Sequence, residues 1–306
     1  MFTPPPRYLA RLAQRTEPLH EALHNTKVFI AGSTGFFGSW FHAYFAYLRD
    51  TVGVNVEVKG GSRRTGWDIM DETTYIEPFQ SQADYTIHCA GDPGTMLSVE
   101  HGLASPHYRG LLNLYKGVVR ADGRLLYVSS GAVEAASSTS IYARVKGEAE
   151  WWLQGITTEN AVIVRPHAVI GPGMDLNGHF AIASFLRNAR ANQPLVVSVQ
   201  PCYRSFAHVT DFVAQALFVM VWGRAPIIYD TGSDDVITVE RAAQLIAPDL
   251  VTRAAPDQTF VSNVGSSRYS ANLTRIQGEF NLELDYSSEA AILDTRDYYL
   301  SPYATP

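Results

Sequence analysis

Residues Val28 to Gly38 read VFIAGSTGFFG. Val28-Phe29-Ile30-Ala31 has the length and composition of a short buried strand, and it stops at Gly32. Glycines follow at 32, 35 and 38, a GxxGxxG spacing, and Phe36 to Arg49 (FFGSWFHAYFAYLR) reads on as a helix. A strand, a glycine turn and a helix in that order bring backbone N–H groups and a helix N-terminus to one point. A pyrophosphate can approach there because no side chain stands in the way. A glycine cluster alone can be only a tight turn. With the strand before it and the helix after it, the reading is a dinucleotide site lined by Gly32, Ser33, Thr34, Gly35, Phe36, Phe37 and Gly38.

Outward from this loop, strands and helices alternate. Asn55–Lys59, Asp84–Cys89, Arg124–Val128 and Ala161–Val164 read as strands, and Gly110–Arg120 and Tyr142–Gln154 as helices between them. That alternation predicts an α/β fold, a Rossmann-type doubly wound parallel sheet. After Gly171 it becomes irregular. Phe180–Arg190, Val209–Trp222, Val239–Ile246 and Asn272–Gly278 look helical, and Leu195–Val199 and Ile227–Tyr229 look like strands. The expected organisation is an N-terminal helical extension over residues 1–26 and a dinucleotide-binding unit over 27–170, to which 200–232 returns. A smaller C-terminal α+β substrate lobe takes most of 171–306, with a cleft between the parts as the substrate site. In the extension, Tyr8, Leu9, Leu12, Leu19 and Leu23 suggest short amphipathic helices broken at Pro18.

At 306 residues, the chain can bury a large core without metal or disulfide staples. Hydrophobic residues at 46% and charged residues at 18% argue against disorder. The net charge of −6 argues against nucleic acid as a partner, though a few local arginines can still hold a small anion. Two cysteines, Cys89 and Cys202, make neither a disulfide framework nor a zinc pattern, so no metal is expected and a cytoplasmic location is. No apolar run is long enough to span a membrane.

A carboxylate normally ends the second strand of such a fold and bonds the adenosine ribose. Here the strand ends Val58-Lys59-Gly60-Gly61-Ser62-Arg63-Arg64, with no acid. Between NAD and NADP, the missing charge at Gly60 together with Ser62 and Arg63 favours NADP; the bland alternative is a solvated arginine loop. Asp68 and Ile69 follow, near where adenine would lie. Further on, LYVSSGAV (Leu126–Val133) runs a strand into two serines, and Tyr142-Ala143-Arg144-Val145-Lys146 places a tyrosine and a lysine four apart, on one helix face. An ammonium there is expected to lower the Tyr142 pKa and make the phenol a proton donor and acceptor. Ser130 would steady a developing alkoxide. YxxxK alone is a common surface pair; the glycine loop and the serine-rich strand end beside it make chance a poor explanation.

These segments together resemble an extended short-chain dehydrogenase/reductase of the NAD-dependent epimerase/dehydratase family, which mostly modifies nucleotide sugars. GSTGFFG, DYTIHCAG, YVSSGAV, YARVKGEAE, VRPHAVIGPG (Val164–Gly173), RSFAHVTDF (Arg204–Phe212) and TGSDDVITVERAAQLI carry the resemblance, which runs from Lys27 to the C-terminus. It implies Ser130, Tyr142 and Lys146 as the catalytic set, with Lys146 also on the nicotinamide ribose. It places Ala90, Gly91, Pro166 and His167 beside the cofactor. It makes Arg204 a clamp on a substrate diphosphate, and Arg268 a second clamp or a surface residue. His167 reads more readily as a core histidine than as a catalytic acid. A homodimer through the helices near Gly110–Arg120 and Tyr142–Gln154 is implied too.

Departures from the family narrow the reaction. His107 or Tyr108 stands where an asparagine is usual, and Gly131-Ala132 replace the Asp-Glu pair of 4,6-dehydratases. Glu134 is poorly placed to substitute. The expected function is therefore a nucleotide-sugar C4 epimerase working by NAD(P)-dependent hydride transfer with Tyr142 as acid and base. The alternatives are an NADPH-dependent reductase of a 4-keto nucleotide sugar and, less favoured because YxxxK is intact, a non-catalytic dinucleotide-binding scaffold.

Overall fold

The computed structural model describes residues 2–75, 83–91, 105–120, 122–135, 140–156, 160–178, 180–254 and 267–301. The chain opens with α1 (Pro6–Arg15) and α2 (His20–Leu23), joined by a single 3-10 turn at Glu17–Leu19, where Pro18 breaks the helix. Next come β1 (Thr26–Ala31), α3 (Phe36–Tyr47), β2 (Val56–Gly61), β3 (Tyr85–His88), α4 (Arg109–Gly117), β4 (Arg124–Val128) and α5 (Ala132–Ala135). The line continues with α6 (Ile141–Ile156), β5 (Ala161–Pro166), β6 (Val169–Ile170), α7 (Ala181–Arg190), β7 (Leu195–Val197), β8 (Tyr203–Arg204) and β9 (Ala207–His208). It ends with α8 (Val209–Trp222), β10 (Ile228–Thr231), β11 (Ile237–Thr238), α9 (Val239–Ile246), β12 (Val251–Arg253), β13 (Arg268–Tyr269), α10 (Thr274–Phe280) and α11 (Ser288–Leu300).

Six strands form one parallel sheet in the order β10-β5-β4-β3-β1-β2. Parallel strands need helical crossovers, so both faces are covered. The two-residue period of the strands divides the side chains between two cores. Val28, Ile30, Ile87, Leu126, Val128, Val162 and Val164 pack against Trp40, Phe41, Tyr44 and Phe45 of α3 and against Phe212, Val213 and Leu217 of α8. Phe29, Leu125, Tyr127, Ala161 and Ile163 face Leu111 and Leu114 of α4 and Ala149 and Leu153 of α6. The fold is thus the Rossmann-like α/β architecture with a doubly wound sheet.

The N-terminal arm adds a layer outside α3 and α8. Its Tyr8, Leu9, Leu12, Leu19 and Leu23 belong to the same core as those helices, and residues Val209 to Met220 of α8 are all buried. A third core, with Phe185, Leu186, Leu195, Phe206, Ala243 and Ile292, holds α7, α9 and α11 together with the short strands β7 and β12. β8 lies between β11 and β13 in a three-stranded sheet, and β6 pairs with β9.

Candidate active site

The strand order reverses at β1, which has β2 on one side and β3 on the other. A crevice opens at such a reversal, beyond the carboxyl ends of the strands. Gly32 sits there at φ +84, and a Cβ on it would lie 2.6 Å from the backbone N of Ala90, just past β3. Gly38 is equally constrained, since its Cβ would fall 2.1 Å from the Gly32 carbonyl oxygen. Gly35 precedes α3 with no side-chain cap, so the first N–H groups of the helix have no capping side chain. Glycine at 32, 35 and 38 brings the loop backbone close to the N-terminus of α3, which fits a dinucleotide pyrophosphate. Phe36 and Phe37 turn away from it into packing: Phe37 lies 4.3 Å from Phe212 of α8, centroid to centroid.

At the adenosine end, Ser62 caps the 3-10 turn Arg63–Thr65, and Arg63 and Arg64 are exposed. Trp67 is stacked on Tyr75 at 5.2 Å beneath Gly61. Asp68 spends Oδ1 on the backbone N–H of Met70, and Ile69 packs against Gly110 on α4.

At the other end the strand β4 delivers Ser129 and Ser130. Ser130 Oγ accepts from the backbone N–H of Ala132 at 3.1 Å. Its hydroxyl also bonds both Tyr142 and Tyr269. Lys146, one helical turn beyond Tyr142, donates to the Val128 carbonyl at 2.7 Å and lies 4.8 Å from the centre of the Tyr127 ring. Ser130, Tyr142 and Lys146 therefore meet at one point.

Their electrostatics differ from the expectation. Burial raises the Tyr142 pKa, and only the Ser130 hydrogen bond opposes it. The Lys146 ammonium stands 6.0 Å from the phenol ring and is spent on a carbonyl. Burial drives the lysine itself down to about 7, against a smaller upward pull from Cys89 and Glu150. A low-dielectric pocket disfavours charge on either partner, so the phenol is neutral. The same burial, helped by Lys146, lowers His88 to about 3 and keeps its imidazole uncharged.

Around this trio lie residues that the sequence reading did not single out for the site. Glu150 is buried one turn past Lys146 and accepts from Ser129 Oγ at 2.5 Å and from Arg165 Nε and Nη2 at 2.9 and 2.6 Å. Arg165 reaches Glu134 as well, so that carboxylate is held in an ion pair. Tyr269 of β13 also reaches this cluster: its ring lies 4.7 Å from His167 and 5.9 Å from the Arg204 guanidinium. Spacing signals existed for two of them. Glu150 stands four residues after Lys146, and Tyr269 directly follows Arg268.

The remaining expected residues are placed as follows. His167 is buried between Gly131, whose Cβ would strike its ring, and Tyr269, which is the packing position of a core histidine. Pro166 accepts from the Gly131 N–H at 3.1 Å. Gly91 faces His107, whose ring stands edge-on to Tyr142 at 5.4 Å. Arg204 donates to the Tyr203 carbonyl and shares the face of Tyr269. Arg268 is exposed, and strand alternation turns it to the opposite face from the buried Tyr269. Among the described residues no cluster of His, Cys, Asp or Glu could hold a metal ion, and no helix is long and apolar enough to cross a membrane.

Comparison with known proteins agrees with this fold. No curated protein sequence matches the chain. Solved structures match over almost the whole length. An epimerase from Methanothermobacter thermautotrophicus superposes with a TM-score of 0.74 at 16% identity, covering 95% of this chain and 97% of that one. The dTDP-glucose 4,6-dehydratase of Bacillus anthracis, solved with NAD, gives 0.70 at 16% identity over 91% and 97%. RMD from Pseudomonas aeruginosa, solved with NADPH, gives 0.70 at 20% identity over 90% and 99%. These likenesses show the fold. Residues 28–232 match the sequence pattern of one family across both the glycine cradle and the Ser-Tyr-Lys cluster, and the chain belongs to that family, the NAD dependent epimerase/dehydratase family.

Proposed function

We propose that the protein is a nucleotide-sugar C4 epimerase that uses a nicotinamide dinucleotide. The observation that carries this reading is the gathering of Ser130, Tyr142 and Lys146 beside Cys89, whose backbone also borders Gly32 of the glycine loop. A bound nicotinamide supplies reversible hydride acceptance at a sugar carbon. The chain's own groups handle the proton and the oxygen. Once the Tyr142 phenol has released its own proton to solvent, its Oη takes the proton of the sugar hydroxyl and later returns it to the same oxygen, and Ser130 Oγ holds that oxygen by a hydrogen bond. Lys146, when protonated, lowers the cost of the phenolate. Arg204, which shares the face of Tyr269, clamps the diphosphate, whereas Arg268 lies on the opposite face of β13 and takes no part in the clamp. The likeness to a dTDP-glucose dehydratase supports a nucleotide sugar as substrate. Dehydration itself is disfavoured, because Gly131 and Ala132 follow Ser130 and Glu134 is tied to Arg165.

A second reading, an NADPH-dependent reductase of a 4-keto sugar, is favoured by one observation. The end of β2 carries Gly60, Ser62, Arg63 and Arg64 and no acid, which suits a 2′-phosphate and a cofactor exchanged with solvent. Two measurements decide. The native protein is denatured and any released dinucleotide identified by mass spectrometry, and UDP-, dTDP- and GDP-hexoses are incubated with the protein and followed by NMR. Retained dinucleotide and interconversion of C4 epimers are expected. An empty protein that turns over only with added NADPH overturns the epimerase in favour of the reductase, and full turnover by Tyr142→Phe overturns both. We place the protein as a homodimer through α4 and α6.

A further inference from the structure

The missing acid at the end of β2 is more than an absent charge. A Cβ on Gly60 would lie 2.2 Å from Ser33 Cβ and 2.5 Å from Ser33 Oγ. No rotamer of Ser33 relieves the first of these, because the clash is with the Cβ and not with the hydroxyl. Nor can the serine retreat. Its backbone N–H is tied to the Gly61 carbonyl at 3.3 Å, and that of Gly32 to the same oxygen at 2.8 Å. On its other side Ser33 Cα stands so close to Gly38 that a Cβ there would come within 2.9 Å of it. Ser33 is thus wedged between α3 and β2 and is wholly buried. Its hydroxyl has no hydrogen-bond partner among the described residues, so the position is held by packing. With Ser33 absent, the next neighbour of a residue-60 Cβ is His42 Cδ2 at 3.4 Å, an ordinary contact.

We propose that Ser33 is the residue that sets the dinucleotide preference of this chain. By filling the space beside Gly60, it holds position 60 to glycine and keeps any carboxylate off the adenosine ribose. Arg63 and Arg64 are then the exposed polar side chains just past that strand end. The preference of the site for a 2′-phosphate follows from a steric pair, Ser33 with Gly60, and not from the arginines alone. This inference rests on the NADPH reading given above.

The test is a coupled set of substitutions, read by equilibrium binding of NADPH and NADH to the purified protein and by its melting temperature without cofactor. Gly60→Asp alone is expected to lower the melting temperature and to weaken both cofactors, because the new side chain has no room. Ser33→Ala keeps the Cβ and is expected to keep the NADPH preference. Ser33→Gly with Gly60→Asp is expected to regain the melting temperature lost by Gly60→Asp, and to shift the ratio of affinities toward NADH by about tenfold or more. A Gly60→Asp protein that melts like the parent and prefers NADH overturns the proposal, as does a double variant no better than Gly60→Asp. Equal affinity of the unaltered chain for NADH and NADPH overturns the reading beneath it. The melting temperatures still report whether Ser33 and Gly60 are coupled, so the two failures are distinguishable.

Discussion

The Tyr142 phenol and the Lys146 ammonium share one turn of α6, yet neither is charged by the other. Each is held by a separate hydrogen bond, to Ser130 and to the Val128 carbonyl, and each is disfavoured as an ion by burial. Removing the phenolic oxygen removes the proton carrier and leaves the packing. Tyr142→Phe is expected to lower turnover by about 10²- to 10⁴-fold, with the circular dichroism spectrum unchanged; turnover within a factor of two of the parent would assign the proton to another group. Lys146 has a second, thermodynamic consequence. Burial brings its pKa down to about 7 in the folded chain, against an ordinary value of 10.5. Between those values the unfolded chain binds more protons than the native one, so stability rises with pH across that window. Lys146→Met removes the difference. Urea unfolding at pH 7 and pH 10 should show the native protein gaining stability relative to Lys146→Met, and parallel curves would mean that the ammonium is not desolvated.

At the scale of elements, the N-terminal arm is bound to the rest by charge as well as by leucines. Arg15 donates to Asp211 Oδ1 at 2.7 Å and stands 3.4 Å from Asp285, and the Asp211 side chain is fully buried at the start of α8. Asp211 also accepts from the backbone N–H groups of Asp285 and Tyr286. Burial still raises its pKa, with Arg15 opposing. Arg15→Met would leave a buried carboxylate without its cation, at a cost of about 3–5 kcal/mol. The loss should be greatest at neutral pH and shrink as the pH falls, because protonation neutralises the stranded group. Thermal melts at pH 5 and pH 7.5 check it; equal losses at both would show that Asp211 is not the group affected. The arm's helices were legible from Tyr8, Leu9, Leu12 and Pro18, but this ion pair was not, because it joins residues far apart in sequence. The same division holds throughout. The core strands, α3 and α8 announce themselves as apolar runs, and α4 and α6 by their helical period. β6, β8, β9, β11 and β13 are two residues each and are too short to have a period. α11 was missed because SEAAILDTRDYYL scatters its apolar residues, and its start is marked only by the Ser287 cap on the Ala290 N–H. At the site, the YxxxK spacing and the strand ending in Ser129-Ser130 are local patterns. The Glu150–Arg165 pair and the approach of Tyr269 depend on how α6, β5 and β13 pack.

For the whole molecule, the two faces of the sheet are finished differently. Over α3 and α8 the arm adds a further layer, and α8 ends buried along nearly its whole length. Over α4 and α6 no described segment plays that part. Trp151 on α6 is 70% exposed, while its neighbour Trp152 packs edge-on against Tyr115 of α4 at 5.4 Å. An exposed tryptophan beside a second aromatic pair, on the face not roofed by the arm, is where an apolar contact with another copy would gain most. Two helices from each copy would meet about a two-fold axis, and each Trp151 would be buried by its own symmetry mate or a close neighbour. Such a contact needs about 1,200–2,000 Å² of total buried surface to persist at micromolar concentration. Sedimentation of the native chain is expected to give twice the mass of one chain. Trp151→Glu, which puts a charge at the centre of that contact and touches no residue of the Ser130–Tyr142–Lys146 cluster, is expected to give the mass of one chain while leaving the melting transition cooperative. A native protein that sediments as one chain at high micromolar concentration would show that Trp151 serves some other contact, and a dimer that survives Trp151→Glu would move the interface off α6.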